Sequence, residues 1–378
     1  MIGNLDHTTL QHLWWLIVSV VGALFVFLTF VQGGQTLLLT VAHDDVEKKL
    51  MVNSLGRKWE LTFTTLVLFG GALFAAFPLF YATSFGGAYW VWMLILATFV
   101  LQAVSYEFRT KPGNLLGART YEAFMFINGS VGLLLVGAAL GTFFTGASFT
   151  LDDYNRVTWL HSLRGLEAAF SLFNLSLGLF LVFLARVLGA LYLCNHIRHE
   201  DLHERLRRAV LINMAIALPF LLYVLVRLVT MDGFAVDPAS GQVTVESFKY
   251  LKNLLAMPVV LILLVAGLLL VVAGVAMTGK GHSIRGIWPA GIGTVLTALS
   301  LLLTAGFHGS AFYPSAVDPA SSLTIFNASS SHFTLTVMSY VALAVPFVLA
   351  YIVCVWRMMD RRKFTIDDLE SENAKNLY

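Results

Sequence analysis

The stretch GRKWELTFTTLVLFGGALFAAFPLFY, residues 56–81, opens on two bases and a glutamate and then runs without a charge through a glycine pair to a proline. About 20 helical residues cross the ~30 Å of hydrocarbon in a bilayer, so the stretch reads as a membrane span. Gly70, Gly71 and Pro78 argue against a soluble helix but are tolerated in a membrane bundle, where neighbouring helices satisfy freed backbone groups. Glu60 stands at the mouth of this span, where a charge is stable only if water or a partner reaches it.

The same signature recurs along the chain. Nine apolar segments can be drawn, at about 13–41, 61–82, 88–105, 122–144, 159–193, 209–230, 255–278, 288–311 and 334–357. The fold class expected is therefore an all-α integral membrane protein, a single domain over residues 1–378 built as a polytopic bundle. Composition agrees: 58% of the residues are hydrophobic and 12% charged, against about 25% charged in an ordinary soluble domain. The N-terminus, MIGNLDHTTLQHLWW, lacks a basic region and a small-residue cleavage site, so its first apolar run reads as a retained helix.

Nine spans put the termini on opposite faces, and the bases choose the orientation. Loops 1–2, 3–4, 5–6 and 7–8 plus the C-terminal tail, Lys375 included, hold eighteen of the 24 lysines and arginines; the other face holds Arg156, Lys249 and Lys252. Positive loops stay cytoplasmic, so the N-terminus is expected outside and the C-terminus inside. Arg164, Arg186 and Arg227 fall within the drawn spans, and each must snorkel, pair or face protein. For Arg164 the simple reading is an intrahelical pair with Glu167, one turn on.

Two outer loops stand out. Residues 231–254 alternate at Val243, Val245 and Phe248, as in a short hairpin or a plain surface loop. Residues 306–340 are uncharged apart from Asp318 and the histidines, with Pro314 and Pro319 restricting the backbone and Ser321, Ser322, Asn327 and Ser330 able to cap turns.

Ionisable groups near or within spans are the candidates for chemistry: Glu60, Glu107, Glu122 and Glu167, with His12, His161 and His308 near span ends. Glu60 opens the second span and Glu107 closes the third, both on the basic face, where a proton could be taken up. The simpler reading of Glu60 is a helix N-terminus stabilised by an acid. Glu107 with Arg109 and Lys111 in YEFRTK reads as simply as an interfacial cluster. Gln32 and Gln35 in FVQGGQTLL share a helix face beside Gly33 and Gly34, which points to close packing, with a quinone pocket or water chain as the alternative. The two cysteines, Cys194 and Cys354, are far apart, and no metal site is expected. No P-loop, dinucleotide or zinc-protease motif is present, and anionic lipid accounts for the basic loops without nucleic acid.

LWWLIV, MVNSLGRKWEL, GGALFAAFPLFYATSF, YEFRTK and above all FYPSAVDPASSLTIFNASSSHFTLTVMSYVALAVPFVLAYIVCVW carry a resemblance. In order and placement, over residues 13–359, they resemble subunit II of the cytochrome bd quinol oxidases. The resemblance implies nine spans and a heterodimer with a haem-bearing subunit I. That partner would oxidise quinol and reduce oxygen to water with b- and d-type haems, so that the complex generates a proton-motive force without a dedicated pump. This chain would support assembly and, in some members, proton access, with room for a structural quinone and a small accessory subunit. The setting would be a bacterial or archaeal cytoplasmic membrane.

The family's NSxxPxWDGN pattern places its tryptophan and acid on Trp59 and Glu60, and its FDYR pattern places an acid on Glu107 beside Arg109. The family's DGFDxG appears here as QGGQTL, so its two acids become Gln32 and Gln35, which do not ionise. A secondary transporter and a purely structural membrane scaffold are the competing readings. A transporter predicts inverted repeats and interrupted helices around a midplane site, and neither is evident in the sequence.

Overall fold

The computed structural model describes residues 2–111, 113–237 and 240–370, so Lys375 lies outside the described residues. Among these, nine helices are long and apolar enough to cross a membrane. They are α1 (His7–Leu39), α2 (Asp45–Ala76), α3 (Tyr89–Phe108), α4 (Ala118–Thr145), α5 (Leu172–His196), α6 (Glu200–Thr230), α7 (Pro258–Gly279), α8 (Ile287–Gly306) and α9 (His332–Asp360).

α5 is the centre of the bundle. Its apolar stretch is 78% buried, while that of α9 is 6% buried and lies almost entirely on the outside. The sequence explains why α1 and α5 approach so closely. A Cβ on Gly33 would sit 1.9 Å from the backbone of Ala185, and one on Gly189 would sit 2.3 Å from the backbone nitrogen of Gly34. Only glycine lets two backbones touch in this way, and in lipid such contact supplies the packing energy that water would otherwise provide.

α2 is built in two pieces. An amphipathic segment, Asp45–Gly56, capped by Asp44, precedes the membrane-crossing segment Trp59–Ala76, and the ladder breaks at Arg57 and Lys58 between them. In α4, a π-helical turn at Asn128–Gly132 shifts the register. Asn128 is thereby turned inward, where it is fully buried.

The fifth span differs from the stretch expected at 159–193. Residues Phe149–Leu151 (β1) and Val157–Trp159 (β2) form an antiparallel hairpin, and α5 starts only at Leu172. Gly165, at φ +91°, packs against Ala88 in a left-handed conformation that ends any helical continuation. Arg164 therefore lies in a loop, at φ +38°, and is not paired along a helix. Glu167 instead approaches His161 at 3.7 Å. Arg186 faces protein as expected, bonding Asn213 and Thr36 at 2.7 Å each and Thr40 at 3.2 Å. Arg227 lies in the last turn of α6 and is exposed, as a snorkelling side chain should be.

The loop at 231–254 does contain a hairpin, Gly233–Val236 (β3) with Val243–Glu246 (β4). Residues 306–340 fold back onto the bundle as Ala311–Tyr313 (β5) and Leu323–Thr324 (β6). Phe312 is buried against Trp15, with ring centroids 4.4 Å apart, and against Phe77 and Phe80. The turn after β6 is tied by Asn327, whose oxygen accepts from the Thr324 amide at 2.7 Å while its nitrogen donates to the Ser322 carbonyl at 3.0 Å. Burial pushes the Tyr313 phenol well above its ordinary value.

Candidate functional site

The polar groups buried in the bundle converge where α1, α3 and α4 meet. α3 presents Thr98 and Gln102, with Arg109 capping its end, all buried, and α4 presents Glu122, the Met125 carbonyl and Asn128. The second half of α1 contributes Gln32 and Gln35, both with no exposed surface.

Gln35 is the hub. Its nitrogen donates to the Met125 carbonyl and to Asn128 Oδ1, both at 2.8 Å, and its oxygen accepts from Gln102 Nε2 at 3.0 Å and from the Tyr106 hydroxyl at 3.3 Å. A carbonyl can only accept, so Met125 fixes which end of the amide carries the hydrogens. Two donors and two acceptor sites are thus all used. An ionised carboxylate could not donate to Met125 and Asn128, which is why an amide suits this position. The network extends from Gln102 Oε1 to Gln32 Nε2 at 3.3 Å, and from Asn128 Nδ2 to Thr98 Oγ1 at 3.3 Å. Gln32 Oε1 is buried without a protein partner among the described residues.

At the basic end of this column stands an ion triad. Glu122 Oε1 accepts from Arg109 Nη2 at 2.8 Å and Nε at 3.2 Å, and Oε2 accepts from Lys48 Nζ at 2.8 Å. The Glu122 and Arg109 side chains are 2% and 3% exposed. Both carboxylate oxygens are held by cations, so the group stays ionised and joins α2, α3 and α4 at one point. A second link joins α6 to the first turn of α2, through Arg205 and Glu47.

A separate buried cluster fastens α9. Lys58, fully buried at the break in α2, lies 3.0 Å from Asp360, and His196 Nε2 lies 3.5 Å from the same carboxylate. His196 Nδ1 is 2.7 Å from Ser54 Oγ, so both ring nitrogens face protein groups. Lys58 also lies 4.9 Å from the Trp356 ring centre.

The residues singled out in the sequence divide into two groups. Gln32, Gln35 and Arg109 belong to the buried column, and Trp59 stacks on Tyr106 at 5.7 Å beside it. Glu60 and Glu107 are exposed; Glu60 projects from the first turn of the membrane-crossing half of α2, and Glu107 lies 3.4 Å from Lys111. The column does not include them. Of the two acids Glu122 and Glu167, the first proves central and the second is a loop contact. Lys58 and Asp360 went unrecognised, although an acid alone among Arg357, Arg361, Arg362 and Lys363 was a signal for a buried pair. His12 bonds the Thr8 carbonyl at 2.7 Å, and among the described residues no three His, Cys, Asp or Glu side chains are grouped as a metal site.

Apolar helices closed around a buried polar column, with basic loops at one end, define a multi-pass helical membrane protein whose interior chemistry is hydrogen bonding and ion pairing. The family is equally definite. The chain belongs to the cytochrome bd terminal oxidase subunit II family, whose pattern matches residues 10–359. It is 30% identical to cytochrome bd-I ubiquinol oxidase subunit 2 of Escherichia coli K12, over 99% of this chain and 100% of that one. It is 26% identical to cytochrome bd ubiquinol oxidase subunit 2 of Bacillus subtilis, over 90% and 93% of the two chains. Its fold matches the bd oxidase structure from Geobacillus thermodenitrificans with a TM-score of 0.54 at 13% identity, covering 93% of this chain and 99% of that one. The protein is therefore a subunit of a respiratory oxidoreductase complex in the cytoplasmic membrane, a complex that contains haem and a subunit I.

Two outcomes follow from the buried column. Gln35→Glu should lower the melting temperature of the purified complex by roughly 5 °C or more, because an acceptor would face two acceptors; an unchanged melt would remove the amide argument. Glu122→Gln should cost about 3 kcal/mol or more by leaving two buried cations without their counter-charge, read as a loss of assembled complex on size-exclusion chromatography.

Proposed function

We propose that this chain is the assembly and proton-access subunit beside a haem-bearing subunit I, with its basic loops and C-terminus cytoplasmic and its N-terminus outside. The observation that carries the reading is the contrast between a closed interior and two open carboxylates at its rim. Inside, Gln35 bonds Asn128 directly at 2.8 Å and Gln102 at 3.0 Å, and the triad at the basic end carries two cations to one anion. Direct amide contacts leave no continuous water file between them. A net positive mouth repels an incoming proton. At the rim, Glu60 and Glu107 are exposed on the basic face of α2 and α3. Exposed apolar residues continue up those helices, among them Leu68 and Val100. Protons are taken up there and pass along the junction with the partner toward its oxygen-reducing haem. Glu60 leads this path because Glu107 is already engaged by Lys111. Trp59, stacked on Tyr106, sets the direction in which Glu60 leaves the helix.

The b- and d-type haems belong to the partner in this reading. His196, fully buried, has Nδ1 on Ser54 Oγ and Nε2 facing the Asp360 carboxylate at 3.5 Å, and among the described residues no set fits a haem. A structural quinone does find a fitting space. A cavity of about 240 Å³ between α4, α5, α6, α7 and α8 is walled by Leu177, Leu181, Leu222, Leu268 and Val272, with Thr297 among its lining residues. Such a wall suits an isoprenoid chain. A small accessory subunit would add a further contact on the outer helices.

Glu60→Gln in the assembled complex should reduce quinol-driven oxygen consumption by about tenfold or more, with Glu107→Gln milder; full turnover at normal haem content would sink the proton role. For the cavity, organic extraction of the purified complex should yield more quinone than its catalytic site accounts for, and Leu181→Trp, which fills the space, should remove the excess. Extraction at catalytic-site stoichiometry alone would refute the structural quinone.

A further inference from the structure

A second cavity, of about 300 Å³, opens between the basic ends of α8 and α9. Its wall carries three cations, Arg285, Arg357 and Lys363, and two indoles, Trp288 and Trp356. The one acid there, Asp360, is already neutralised by Lys58 at 3.0 Å. Lys363 donates to the Asn195 carbonyl and lies 3.4 Å from Asn195 Oδ1, so it is positioned without being given a counter-charge. Arg285 and Arg357 have no ion-pair partner among the described residues. Burial lowers the Lys363 ammonium from its ordinary value, Asp360 opposes that, and Arg285 adds to it. Three cations facing a single acid that Lys58 already holds leave the crevice net positive and call for an anion.

The surroundings say which kind. Trp288 and Ile292 lie four residues apart on α8 and are 50% and 57% exposed. Leu349 and Val353 lie at the same spacing on α9, below Arg357, and are 41% and 48% exposed. These form two outward apolar stripes that begin at the cationic crevice and run away from it into the membrane. Indoles at the junction mark the depth of the headgroup layer. Basic pockets between helices at this depth suit phosphate headgroups whose acyl chains need an apolar track.

We propose that this crevice binds the phosphodiester headgroup of an anionic phospholipid, with its acyl chains along the exposed stripes of α8 and α9. The guanidiniums of Arg285 and Arg357 hold the phosphate oxygens, and Lys363 adds a third charge from beside Asn195. A bound lipid bridges the two helices at the end where α9 is otherwise fastened through Asp360. The site depends on neither the proton path nor the haem arrangement.

The test uses the complete oxidase, delipidated in detergent and titrated with dioleoyl phosphatidylglycerol, with dioleoyl phosphatidylcholine and with inorganic phosphate, binding being read by native mass spectrometry. Phosphatidylglycerol should bind saturably and in preference to phosphatidylcholine. The Arg285→Gln/Arg357→Gln variant should bind it about 25-fold more weakly, at about fivefold per arginine, with the haem spectrum unchanged. Both arginines are exposed, so the variant should assemble; Arg361→Gln/Arg362→Gln, which alters bases outside the crevice, serves as the charge-matched control. Equal affinity in the crevice variant and the wild type, or an equal loss in the control, overturns the site. Displacement of the lipid by inorganic phosphate at comparable affinity overturns the lipid assignment and gives the crevice to free phosphate.

Discussion

A polar atom taken out of water and into a membrane interior has to find its partners within the protein, because lipid offers none. Gln35 is where that constraint bears hardest on this molecule. Four hydrogen bonds from one side chain reach two other spans, α3 and α4, through Gln102, Tyr106, Asn128 and the Met125 carbonyl. The close approach of α1 to α5 at Gly33 and Gly189 holds the same part of α1 from the opposite side. Backbone contact on one face and amide bonding on the other leave α1 little freedom to rotate. The π turn at Asn128 belongs to the same solution, since it turns that amide toward Gln35.

α9 is held by a different strategy. Most of its length faces outward, and the contacts that fix it are gathered at its ends. Near its start, Trp14 donates to Ser339 Oγ at 2.9 Å and to the Leu335 carbonyl at 3.1 Å, and His332 bonds the Leu5 carbonyl at 2.8 Å. Past its far end, the Phe364 amide donates to the His196 carbonyl at 2.9 Å, next to the Lys58–Asp360 pair. A helix pinned at both interfaces and free between them can offer an apolar face to lipid or to a partner subunit without weakening the bundle. The strong, directional interactions sit at membrane depths where side chains reach them cheaply, and the middle is left to dispersion and lipid contact.

The spans were legible because a run of about 20 uncharged residues has few other uses. Where the sequence misled, a run of apolar residues was not a helix. Residues 159–171 look continuous with α5, but Trp159 pairs with Phe149 in a hairpin and Gly165 takes a left-handed turn that no periodicity announces. The site was legible by residue type and not by partnership. Glu122, Arg109, Gln32 and Gln35 were all visible as costly polar groups, yet Lys48 lies 74 residues from Glu122, and only packing brings them together. Whether a carboxylate near a span end turns inward or outward depends on helix rotation. Rotation in turn depends on neighbours such as Tyr106 against Trp59, so the exposure of Glu60 and Glu107 could not be read from spacing.

Glutamines at positions 32 and 35 of the first span, where the family resemblance implies acids, change the physical character of the interior more than its shape. A buried acid changes its hydrogen-bonding capacity when it takes up or releases a proton; an amide keeps two donors and two acceptor sites at every physiological pH. The Gln35 network is therefore constant in charge and in bonding. The one buried acid nearby, Glu122, is committed to Arg109 and Lys48. Glu60 and Glu107, by contrast, lie exposed at the rim of α2 and α3. A chain that has fixed its core with amides can rely on that core for rigidity. On the reading proposed above, proton traffic passes at its surface, against whatever covers α2 and α3.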